Sequence, residues 1–144
     1  MIVTRRGDLK KNLTILVVGT LLFFTYACDA ESKRQLEILQ QFASGIPRYQ
    51  DFNQVDTFQS HKPGMAMMVI SYASSATLEE VTKFYSQTMQ ARGWTVVPKE
   101  QRTRTIFYSD DVVFRKDDYW LGIKKDEQAY KGGNYVVAFY WEHN

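Results

Sequence analysis

From residue 135 to residue 141 every second position carries a large apolar side chain. Tyr135, Val137, Phe139 and Trp141 alternate with Val136, Ala138 and Tyr140. A period of two places the two sets on opposite faces of a strand. The same period, over shorter runs, marks Trp94–Val97, Thr105–Ser109, Val112–Lys116 and Tyr119–Lys125 as strands. Asp117-Asp118 supplies a hairpin turn, and Lys131-Gly132-Gly133-Asn134 ends a longer loop. Thr105–Ser109 and Val112–Lys116 can also be one strand interrupted by a bulge at Asp110-Asp111. Upstream, Met65 to Ser74 is a short apolar run after Pro63-Gly64, the pattern of a buried strand.

The helical signals are local and strong. Thr77 and Glu80 form a capping box, and Glu79 and Glu80 place acid where the helix dipole favours it. Leu78, Val81, Phe84, Tyr85, Thr88 and Met89 follow at helical spacing. Gly93 stands at the left-handed closing position, with Trp94 placed to fold back on the last turn. A shorter amphipathic helix is predicted over 32–43, capped by Ser32 with Gln35, with Leu36, Leu39, Phe42 and Ala43 on one face. Residues 46–64 show no period and read as irregular, fastened by Tyr49, Phe52, Val55 and Phe58. Strand, helix, then meander predicts an α+β domain: an antiparallel sheet of four to five strands with one main helix across one face.

The N-terminus is organised differently. Arg5, Arg6, Lys10 and Lys11 precede an uncharged run from Leu13 to Ala27, 15 residues long. As a helix that run would span about 22 Å, short of the roughly 30 Å hydrocarbon core. It has the proportions of a signal-peptide apolar region. The basic flank keeps the start cytoplasmic and sends residues 29–144 across. The expected organisation is a signal peptide or membrane anchor over 1–27, a tether with the short amphipathic helix over 28–45, and a single α+β domain over 46–144.

Cys28, the sole cysteine, closes the apolar run. Thr25-Tyr26-Ala27-Cys28 resembles the lipobox of bacterial lipoprotein precursors. Ala27 supplies the small residue before the cysteine, while Thr25 and Tyr26 depart from the residues usual in that family. The resemblance implies that the Cys28 thiol is acylated and that residues 29–144 are held outside a bacterial membrane. Several acyl chains on one residue give stable anchoring where one chain does not. Thr25-x-Ala27 also reads as an ordinary cleavage site, and an uncut 13–27 segment would be an N-terminal anchor. Glu79-Glu80-Val81, Phe84-Tyr85, Met89 and Gly93-Trp94 together are similar to a pattern in small bacterial envelope domains. That likeness implies class and location and names no activity.

Composition narrows the function further. With 44% hydrophobic and 15% aromatic residues the chain is neither disordered nor low in complexity. Its net charge of +2 is uneven: residues 29–144 hold 14 basic and 15 acidic residues, a net of −1. A near-neutral domain has no electrostatic footprint for nucleic acid. His61 and His143 are the only histidines and no cysteine remains for a zinc set, and no hydrolase, P-loop or dinucleotide motif occurs. Ser60-His61 is adjacency in sequence, which does not make a nucleophile–base pair. The expectation is a non-enzymatic protein without a cofactor.

Three constellations remain. Asp110-Asp111 and Asp117-Asp118 could offer carboxylates, though neighbours on a strand point to opposite faces, and Asp is at home in turns. His61, Met65 and Met67 could hold copper(I), against the reading that methionine fills an irregular core. Trp120 and Tyr140 are expected on the sheet face away from the helix, where they could form a binding platform. The expected function is therefore that of a membrane-tethered accessory domain binding an envelope protein through the open sheet face or an edge strand. The alternative is a small-ligand or glycan binder using the aromatic face.

Overall fold

The computed structural model describes residues 29–102, 110–126 and 132–143. Helix α1 covers 29–45, followed by β1 (Asn53–Lys62), β2 (Met65–Ala73), α2 (Leu78–Gln90), β3 (Thr95–Val96), β4 (Val112–Lys116), β5 (Tyr119–Lys125) and β6 (Tyr135–Glu142). The strands make one sheet in the order β1-β2-β6-β5-β4-β3, with every neighbouring pair antiparallel. Helix α2 carries the chain from β2 across the sheet to the far edge at β3.

Both helices lie on one face, above Met68, Ile70 and Tyr72 of β2, Val137 and Phe139 of β6, Leu121 and Ile123 of β5, and Phe114 of β4. Leu39 of α1 and Val81, Tyr85 and Met89 of α2 complete this core. The α+β class and antiparallel sheet agree with the sequence, but among the described residues there are six strands rather than four to five, and two helices share the face rather than one. The extra strand is β1, which the sequence reads as irregular. Its residues Gln54, Thr57, Gln59 and Ser60 give no apolar alternation because it is an edge strand held by its ladder to β2. Val55 sits at a register shift, and Val55 and Phe58 are exposed at 37% and 53%. They do not fasten the segment; buried Phe52 does. Thr105–Ser109 lies outside the described residues, as do Cys28 and the 13–27 run.

The predicted cap at Ser32 is also corrected. Ser32 lies inside α1 and is fully buried, where its Oγ accepts the Gly64 N–H at 2.9 Å. Gln35 donates to Glu31 Oε1 at 2.6 Å and accepts the Tyr119 hydroxyl at 2.6 Å. The serine–glutamine pair thus latches α1 to the β1–β2 turn and to β5. Residues 29–45 form part of the folded layer.

Helix α2 follows its sequence signals closely. Thr77 caps it, with Glu80 N–H donating to Thr77 Oγ1 at 3.3 Å and Thr77 N–H to Glu80 Oε2 at 2.8 Å. At its end the Trp94 N–H reaches Met89 O and the Gly93 N–H reaches Gln90 O, each at 3.0 Å. Gly93 takes φ +77°, which a residue with Cβ adopts at a cost. Both ends are sealed by contacts within a few residues.

Candidate functional site

Three segments that are ordinary in isolation converge beside α1. The end of α1 brings Gln40, Ala43 and Ser44, and the following turn brings Ile46, Pro47 and Arg48. Opposite them, β1 contributes Gln54 and β2 contributes Met68, Ile70 and Tyr72. Together they bound a groove of about 540 Å³. Its floor is apolar and buried, because Met68, Ile70 and Tyr72 occupy the helix-facing positions of β2. Its rim is polar: Gln40 donates to Gln59 Oε1 at 2.9 Å and Gln54 to Thr57 Oγ1 at 2.7 Å. An apolar floor with a few convergent polar groups is the usual construction of a small-molecule site, and the volume lies within the usual range.

The floor is stiff because of what lies behind it. Phe52 is 1% exposed and stacks on Tyr72 with ring centroids 4.7 Å apart. Tyr135, Tyr49 and Tyr85 surround the same ring at 5.1, 5.7 and 6.1 Å. Burial pushes the Tyr72 hydroxyl above its usual range and that of Tyr85 up to about 12. Both phenols stay neutral, so the floor carries no charge.

A second cleft, of about 520 Å³, lies at the sheet end beside the start of α2. Its polar groups are already engaged with one another. Asp51 Oδ2 accepts from Ser74 Oγ, Ser75 N and Ser75 Oγ, and these bonds hold its carboxyl below the usual range. Asn134 binds the Ser74 backbone through both its amide atoms. This cluster is a clasp between loops.

Trp120 and Tyr140 lie directly opposite each other on β5 and β6, on the face away from the helices. They are 6% and 7% exposed, buried with Val97 and Val113, and the Arg115 guanidinium lies 5.0 Å from the Trp120 ring. A platform needs open ring faces, and here both rings belong to a second, smaller core. His61 pairs across the ladder with Ala66, on the helix side, and faces Asp29 at 3.8 Å. Met65 and Met67 pack on the opposite side, so the sheet separates the proposed copper ligands. Asp117-Asp118 forms the β4–β5 turn, with Asp117 at φ +54°. Asp111 accepts the Lys125 N–H at 2.6 Å, closing the same hairpin. Burial pushes the Asp110 carboxyl up to about 6, opposed by the charges of Arg102 and Lys124.

The START domain-like family model matches residues 54–126, half of the chain. The chain belongs to the START domain-like family. The match runs from β1 to β5 and takes in the floor of the groove, while α1 and β6 flank the matched region. No curated protein and no solved structure matches the chain. In this START domain-like chain the groove therefore combines a matched floor with a wall, α1, from outside the match.

Proposed function

We propose that this START domain-like protein is a non-catalytic ligand-binding domain of the bacterial envelope. The proposed ligand is small, and its apolar body lies in the groove between α1 and β2. The groove itself carries the reading: Met68, Ile70 and Tyr72 give apolar contact, and the rim supplies polar groups for orientation. Family membership supports binding as the task. Among the described residues the groove lining holds no carboxylate, imidazole or thiol, and burial keeps its Tyr72 phenol neutral, which favours binding over acid–base chemistry. The envelope location rests on the basic flank, the apolar run and the lipobox-like Thr25–Cys28.

The test uses the full chain in nanodiscs of zwitterionic lipid and a neutral probe, octanol. Saturable uptake is expected, read from the amide shifts of Ala43, Met68 and Ile70 and corrected with empty nanodiscs. Ser44→Trp fills the exposed mouth and should remove that uptake while leaving the melting temperature unchanged. Uptake that never saturates, or that survives Ser44→Trp, overturns the groove as the site.

A second reading, a protein partner, is supported by β1. This ten-residue edge strand leaves Val55 and Phe58 exposed, and beyond its register shift at Val55 the stretch from Asp56 to Lys62 is a template for strand addition by an extended segment. Phe58→Lys should release any envelope protein cross-linked in cells without lowering stability. A partner retained by the variant argues against this edge.

A further inference from the structure

We propose that the groove selects ligands with a single carboxylate-type head, held by Arg48, over neutral or cationic ones of the same length. This rests on reading the groove as a ligand site and adds the charge of what enters it. Among the described residues that line the groove, Arg48 is the one charged residue. It is exposed, and among the described residues it makes no salt bridge and no hydrogen bond. Its charge acts on the hydroxyls of Tyr72 and Tyr85, opposing the rise that burial causes there. Arg48 and Tyr72 line the same groove. The Tyr72 hydroxyl, in turn, has no hydrogen-bond partner among the described residues.

An apolar floor leading to an uncommitted guanidinium fits an amphiphile whose chain lies over Met68 and Ile70. Its carboxylate would take the planar fork of Arg48 in a bidentate pair. One local feature acts the other way. The C-terminal carbonyls of α1 lie beside the groove and carry about half a negative charge, which favours cations within the last turn. The full charge of Arg48 exceeds that partial charge, so the sign of the preference distinguishes the two sources.

The experiment compares octanoate, octanol and octylamine on the full chain in zwitterionic nanodiscs, using the same amide shifts. Octanoate is expected to bind about fivefold to tenfold tighter than octanol, as a charge-assisted pair at a solvent-accessible rim would give. Octylamine should bind more weakly than octanol. In Arg48→Gln the preference should vanish while the octanol affinity is kept, a split that general loss of structure would not produce. Equal binding of all three probes, or a preference for octylamine, overturns the charge proposal and leaves the groove standing. If none of the three saturates, the groove reading itself fails.

Discussion

Phe52→Ala should lower the free energy of unfolding by about 3–5 kcal/mol, the usual cost of removing a buried phenylalanine. The side chain is 1% exposed, and four tyrosine rings pack around it within 6.1 Å. Truncation would leave a void that these large rings cannot all close, since Tyr49 and Tyr85 also pack on Phe84 and Tyr135 is held by a hydrogen bond. Tyr135 donates its hydroxyl to Ala76 O at 2.9 Å. Against a typical total of about 5–15 kcal/mol, the loss is large enough to read directly from a urea titration. Tyr72 would lose its stacking partner, so octanol affinity should fall in the same variant under conditions where it remains folded. A stability change below about 1 kcal/mol would mean that the aromatic cluster is looser than the ring geometry indicates.

Cys28→Ala carries the other large expectation. If the thiol is the acylation site, the substitution removes the only one in the chain. Incorporation of labelled fatty acid should drop to background, and the precursor should accumulate at unchanged size. Stable attachment depends on several acyl chains, so the loss should be close to complete rather than graded. Unchanged labelling would overturn the lipobox reading. Absence of label from both forms, with normal cleavage of each, would point instead to Thr25-x-Ala27 as an ordinary processing site.

The legible parts of the fold were those fixed by neighbours in sequence. The capping box at Thr77 and the closing bonds of Gly93 and Trp94 span six residues or fewer, so α2 could be read almost to its ends. Strand β6 was legible because its two faces meet different surroundings, which imposes a strict period on Tyr135, Val137, Phe139 and Trp141. Strand β1 lacks that imprint, since an exposed edge exerts little pressure on side-chain polarity. Ser32 reads as a cap because a capping box is a four-residue pattern, blind to Gly64 arriving from the β1–β2 turn. The faces of Trp120 and Tyr140 followed from alternation, but their burial depends on Val97 and Val113 from other strands. The groove was invisible for a similar reason. Arg48 follows Pro47 in what looks like connecting chain, and only the fold brings it beside β2.

The latch at Ser32 has a consequence for reach. Asp29 already belongs to α1, and three residues later Ser32 is bonded to the β1–β2 turn. If Cys28 carries the acyl chains, there is almost no slack between lipid and folded body. Such a protein cannot sweep the space above the bilayer as one on a long leash does. Gln40 begins the groove eight residues beyond Ser32, about 12 Å along the helix. Cargo would then be met within a short, fixed distance of the membrane surface, by lateral travel of the whole molecule.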